Sequence, residues 1–198
     1  CNDPRITNII GALGQTLADG EIFQMFHSHE KLVSEEVYFE IIRKKTASLF
    51  AACAEIGALS AGASDENVAR ARQIGEYIGL CFQIRDDIFD YYSNDVGKPT
   101  GSDMREGKIT LPALYVLHTS TNPQLQPIRE KLKNGIYLDE KEIESLIEIS
   151  KEEGGIEYTN SVIKSYRDMA IEAIPAEITD EFRNALIAYV DYVINREK

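Results

Sequence analysis

Three aspartates, Asp86, Asp87 and Asp90, stand in the stretch FQIRDDIFD among Phe82, Ile84, Ile88 and Phe89. On a helical wheel with Gln83 at the origin and about 100° per residue, Asp87 falls near about +40°, Asp90 near about −20° and Asp86 near about −60°. Gln83 and the three acids therefore share one polar arc, and apolar side chains occupy the rest of the circumference. Like charges at i,i+4 cost an exposed helix ~0.2–0.5 kcal/mol. In an apolar setting the cost rises steeply unless cations sit among the carboxylates. A solvated acidic face is the bland alternative, and the apolar residues on both flanks weigh against it. The economical reading is a hard cation with oxygen ligands, most simply Mg²⁺. That ion takes one or two carboxylates and completes its octahedron with water and phosphate oxygens. Acids inside a helix exclude an EF-hand loop.

Basic residues follow closely. Lys98 in GKPTGSD and Lys108 in EGKITLP flank Asp103, and Pro99 and Gly101 keep that connection non-helical. Upstream, RKKTASLF offers Lys45 beside the hydroxyl of Thr46. Each lysine alone reads as a surface residue. Beside a metal-type acid face, the three suggest a diphosphate held between Mg²⁺ and ammonium groups. Other polar clusters carry less. His27 and His29 diverge on a helix, Tyr91 and Tyr92 read as packing at a helix end, and LDEKEIESLIEISKEEGG reads as an amphipathic helix with a solvated face.

The elements that must position these groups are helices. Helical periodicity runs through nearly the whole chain, with helices expected near 5–27, 34–61, 65–92, 109–119, 123–134, 139–152, 155–174 and 179–196. Ser34 ahead of Glu35 and Glu36 marks a helix start. Asp139 with Glu142 resembles a capping box, Gly154-Gly155 ends that helix, and Thr179 caps the last one. Ala51 to Ala63 is rich in alanine and glycine, which lets this segment approach a neighbour closely. An all-α bundle forming a single domain over residues 1–198 is the natural architecture.

Composition narrows the class further. With 33 Asp plus Glu against 21 Lys plus Arg, the formal charge is −12. That argues against nucleic acid as a partner, but not against small phosphorylated ligands held through a metal. Cys1, Cys53 and Cys81 form no CxxC pair and read as thiols in a reducing cytoplasm. The most membrane-like stretch, residues 47–64, carries Glu55 in its middle and is rejected as a span.

FQIRDDIFD followed by GKPTGSDMREGKITLPALY resembles the second aspartate-rich region of the trans (all-E) polyprenyl diphosphate synthases. RKKTASLFAACAEIGALSAG is similar to that family's Lys-Thr motif, LADGEIFQMF to the segment upstream of it, and EEGGIEYTNSVIKSYRDMAIEAI and YVDYVINREK to its C-terminal helices. The resemblance runs the length of the chain and implies an isoprenoid-synthase-type helical bundle. It implies that Asp86, Asp87 and Asp90 bind Mg²⁺ bridging to an allylic diphosphate. Lys45, Lys98 and Lys108 would hold the leaving diphosphate, and Gln83 and Thr46 would line the place where allylic positive charge develops. The implied reaction is condensation of an allylic diphosphate with isopentenyl diphosphate into an all-trans polyprenyl diphosphate. The expected setting is the cytoplasm, and the expected assembly a homodimer.

The sequence departs from the family pattern in one respect. The resemblance implies two aspartate-rich motifs, and the only DDxxD here runs from Asp86 to Asp90. Together with the start at Cys1, this leads us to expect the C-terminal portion of a synthase, with little or no synthase activity on its own. A non-catalytic helical subunit that binds and modulates a catalytic prenyl synthase chain stays open as a second class. The intact Asp86–Asp90 motif and Lys98 favour the enzyme.

Overall fold

The helix starts that the sequence marks with Asp139 and Thr179 are capped by those side chains. In the computed structural model, which describes residues 3–27, 32–92 and 100–196, helices account for nearly all regular structure and no strand occurs among the described residues. The elements are α1 (Pro4–His27), α2 (Glu35–Ile42), a π-helical turn (Arg43–Ala47), α3 (Ser48–Ser60), α4 (Asp65–Phe89) and α5 (Ser102–Arg105). There follow α6 (Leu111–Thr119), α7 (Leu125–Lys133), α8 (Glu140–Glu152), α9 (Gly155–Glu172) and α10 (Asp180–Asn195). The Asp139 carboxylate accepts the Glu142 N–H at 3.1 Å and the Glu142 carboxylate accepts the Asp139 N–H at 2.9 Å, so the capping box of α8 is complete. Thr179 Oγ1 accepts the Phe182 N–H at the start of α10. No described helix is long and apolar enough to cross a membrane.

Three features differ from the sequence expectation. The single helix expected over 34–61 is interrupted by the π turn, where the Ser48 N–H reaches the Arg43 carbonyl five residues back. The helix expected to run to 92 ends at Phe89. Its last turn tightens through i→i+3 bonds from the amides of Asp90, Tyr91 and Tyr92. The short helix α5 was not expected at all.

The chain forms two compact units. The first comprises residues 1–21, 41–83 and 163–197. Its core is Ile74 and Ile78 of α4 with Ile174, Val190 and Val193, and Phe50, Phe82 and Ile187 pack against them. Here α3 and α4 approach at backbone distance. A Cβ on Gly79 would stand 2.6 Å from Ala47 Cα, and one on Gly75 would stand 2.5 Å from the Phe50 carbonyl oxygen. The alanine-rich stretch thus meets two glycines one helical turn apart. We predict that Gly79→Ala lowers stability by about 1–3 kcal/mol, because backbone atoms cannot rotate away from the new methyl. Gly57→Ala, with nothing within 4 Å of its Cβ, should instead raise stability by about 0.5–1 kcal/mol through helix propensity. Urea titration of the pair checks both signs, and a stabilising Gly79→Ala would refute the close packing.

The second unit comprises residues 22–40 and 84–162. Ile84, Ile88 and Tyr91 are buried, as are Leu111 and Leu114 of α6, Leu125 and Leu132 of α7, and Ile143 and Leu146 of α8. Gly101 sits in the left-handed region at φ +79°, and a Cβ there would strike Ile143 Cγ2 at 2.7 Å. The chain therefore enters α5 through a position that only glycine fills without strain.

Candidate functional site

In the first unit the Lys-Thr pair lies on the π turn. The Thr46 hydroxyl donates to Gln83 Oε1 at 2.7 Å, so these two predicted residues are brought together. Gln83 follows Gly75 and Gly79 at four-residue steps on α4, and the close α3–α4 approach is what brings its amide within reach of Thr46. Lys45 is half-buried, with Nζ 2.9 Å from Glu21 Oε1. The stem of Lys44 packs on α1, where a Cβ on Gly20 would stand 2.9 Å from Lys44 Cβ. Arg43 Nε donates to Glu76 Oε1 at 3.0 Å, tying the π turn to α4. Single π turns inside α-helices recur at functional sites, because the inserted residue redirects the side chains around it.

In the second unit the three aspartates have different surroundings. Asp86 is half-buried on α4. Asp87 is 4% exposed, and its Oδ2 accepts the Tyr38 hydroxyl at 2.7 Å. Burial, and then the charge of Asp87, push the Tyr38 phenol well above its ordinary value, so it donates. Asp90 lies in the tightened turn beyond α4, where the α-helical wheel no longer applies. Its Oδ1 accepts the Ser102 N–H at 2.9 Å, its Oδ2 the Asp103 N–H at 3.0 Å, and its carbonyl the Gly101 N–H at 2.8 Å. One residue thereby anchors the start of α5 three times. Removing the carboxylate in Asp90→Ala is expected to cost about 0.5–2 kcal/mol, the usual range for a lost helix-start acceptor. For a chain of this length, each kcal/mol lowers Tm by roughly 2–4 °C. Asp90→Asn, which retains one acceptor oxygen, should lose less. Equal melting of all three proteins would refute the anchor.

Asp103 is a neighbour that the sequence reading noted but did not assign. Burial, and then the charge of Asp90, raise its carboxyl above the ordinary value. Lys108 opposes them, and Glu106 and Asp86 act in the same upward direction. Negative charge is thus concentrated around Asp86, Asp90 and Asp103. Lys108 donates its backbone N–H to the Asp103 carbonyl at 2.8 Å, while its exposed ammonium pairs with Glu106 at 2.6 Å. Lys98, with Gly97 and Pro99, lies outside the described residues, as do Cys1, Ser28, His29 and Lys198. His27 packs its ring against Phe23 with centroids 4.6 Å apart. Among the described residues no three His, Cys, Asp or Glu side chains form a ready-made metal cluster.

Sequence reasoning missed Tyr38 altogether. In EEVYFEII it occupies an ordinary apolar position, and nothing local connects it with a carboxylate 49 residues away. It also missed Glu21, the counter-ion of Lys45.

Comparison with known proteins gives these groups a context. The family model for polyprenyl synthetase matches residues 1–150. The chain is 31% identical over 198 residues to octaprenyl diphosphate synthase of Escherichia coli (strain K12), a match covering 98% of this chain and 60% of that one. It is 36% identical over 183 residues to the short chain isoprenyl diphosphate synthase of Methanothermobacter thermautotrophicus, covering 91% of this chain and 55% of the relative. Among solved structures, geranylgeranyl pyrophosphate synthase from Bacteroides thetaiotaomicron superposes with a TM-score of 0.88 at 50% identity, over 98% of this chain and 65% of that chain. The chain therefore spans about 55–65% of the length of these relatives.

Proposed function

The chain belongs to the polyprenyl synthetase family, and from that premise we propose that it carries part of the active site of a prenyltransferase. The proposed enzyme condenses an allylic diphosphate with isopentenyl diphosphate to make an all-trans polyprenyl diphosphate. The observation that carries the reading is the coexistence, on family-matched positions, of an aspartate group around Asp86 and a Lys45-Thr46 turn bonded to Gln83.

The donor chemistry fits Mg²⁺. Asp86, Asp87 and Asp90 offer only hard oxygen ligands, and Asp103, whose N–H donates to Asp90 Oδ2 at 3.0 Å, adds a fourth carboxyl beside them. The first three aspartates would hold the ion. Each Asp90 oxygen engaged by one N–H keeps a second lone-pair direction. When bound, Mg²⁺ supplies neutralisation of the diphosphate charge.

The chain's own residues then have defined tasks. Diphosphate leaves slowly until its negative charge is met, and the Lys45, Lys98 and Lys108 ammonium groups are assigned to meet it. The Thr46 hydroxyl, by donating to Gln83 Oε1, fixes the amide's orientation. The dipoles of both side chains are assigned to the developing allylic cation.

A cytoplasmic setting belongs to the same reading, supported by Cys53 and Cys81, which are free thiols. So does a homodimer, supported by the exposed Ile10, Ile22, Met25 and Phe26 of α1.

The test is incorporation of labelled isopentenyl diphosphate into extractable prenyl product, with Mg²⁺ and with EDTA. The 198-residue chain is assayed beside a chimera that carries ahead of residue 1 the segment of a matched relative that this chain does not span. Mg²⁺-dependent elongation by the chimera is the expected result. A chimera that melts cooperatively, yet incorporates no label, would overturn the proposal.

A further inference from the structure

Tyr38 looks in sequence like one more core residue of an amphipathic helix, yet its hydroxyl is committed to one acid of the DDxxD motif. Both partners are nearly inaccessible, Tyr38 at 5% and Asp87 at 4%, and the oxygens are 2.7 Å apart. That distance is a well-formed hydrogen bond between hydroxyl and carboxylate oxygens. The donor is placed by an element that is itself pinned. Tyr158 donates from its hydroxyl to Glu35 Oε1 at 2.7 Å, and His118 Nε2 lies 3.3 Å from the Val33 carbonyl oxygen, so the start of α2 is tied to α9 and α6.

We infer that Tyr38 is a positioning residue for Asp87, its hydroxyl holding the carboxylate in the one orientation from which it engages a divalent cation. The inference rests on the metal-dependent reading above. A terminal carboxylate torsion is broad and two-fold, so packing alone does not set it. A hydrogen bond to one oxygen does. Outer partners of ligating groups act in this way, and their loss typically weakens metal binding roughly ten- to a hundredfold. Tyr38 touches neither substrate nor cation in this role; it acts only through Asp87.

The experiment follows Mn²⁺, as a spectroscopic stand-in for Mg²⁺, by electron paramagnetic resonance titration of the 198-residue chain with inorganic diphosphate present. Thermal melting of every variant fixes a titration temperature at which all are folded. Tyr38→Phe is expected to weaken Mn²⁺ binding roughly tenfold or more. Once Asp87→Asn has removed the charged ligand, deleting the hydroxyl as well should change nothing further. A Tyr38→Phe protein that binds Mn²⁺ as tightly as the wild type overturns the inference, as does a further drop in the Asp87→Asn background. Should Tyr38→Phe fail to fold, Tyr38→Phe/Asp87→Asn is compared with Asp87→Asn, and a further drop in Mn²⁺ binding there overturns the inference. Asp86→Asn separates the two levels of argument. If it weakens Mn²⁺ binding while Tyr38→Phe does not, only the positioning role fails. If Asp86→Asn and the wild type bind alike, the metal reading fails and the inference with it.

Discussion

Lys45→Ala, introduced into the catalytically competent chimera, is expected to lower kcat by roughly 10²–10³, or about 2.7–4 kcal/mol of transition-state stabilisation, the range for losing one preorganised electrostatic group. The ammonium is held 2.9 Å from Glu21 in the structure. On the proposed reading it exchanges that carboxylate for the departing diphosphate. Lys44→Ala is the control. Its Cβ is the atom that meets α1 at Gly20, and alanine keeps that atom, so the change should be nearly silent. Steady-state kinetics on both variants distinguishes the cases. Equal losses at Lys44 and Lys45 would mean that the π turn presents both lysines to the reaction, and the assignment of Lys45 alone would fall.

Tyr91→Ala is expected to cost about 3–5 kcal/mol, the range for truncating a buried aromatic side chain. Against a typical total of about 5–15 kcal/mol, that removes a large share of the stability. Tyr91 is 1% exposed, and its hydroxyl does more than fill space. It lies 3.1 Å from Thr110 Oγ1 and accepts the Ala113 N–H at 3.1 Å. Helix α6 has no side-chain cap from its own Thr110, and Pro112 in its first turn has no N–H to satisfy. The Tyr91 hydroxyl is therefore the acceptor that completes this helix start. Tyr91→Phe keeps the packing and abandons the Ala113 amide and the Thr110 hydroxyl, so its cost should be about 1–3 kcal/mol, the range for leaving a buried polar group without its partner. Urea unfolding, with the midpoint shifting at constant slope, measures both. A phenylalanine variant as stable as the wild type would show that Ala113 needs no partner from Tyr91.

What the sequence by itself determined was everything whose cause lies within a turn or two of helix. Asp139 and Glu142 make their capping box and Thr179 accepts its amide, because both arrangements need only residues three apart. The Asp86–Asp87 pair lies on a helix as the apolar spacing demanded, and the motifs around it were specific enough to carry the family. The tertiary structure decided what depends on residues far apart in the chain. The π turn at 43–47 coincides with packing on Gly20 and Glu76, which no local spacing announces. Tyr38 meets Asp87 across 49 residues, Tyr91 caps α6 from 22 residues away, and Asp90 spends its oxygens on the start of α5. Helix propensity, capping and periodicity are short-range terms written residue by residue. Which hydroxyl a buried carboxylate or amide finds is settled only when packing excludes water and leaves one partner within reach.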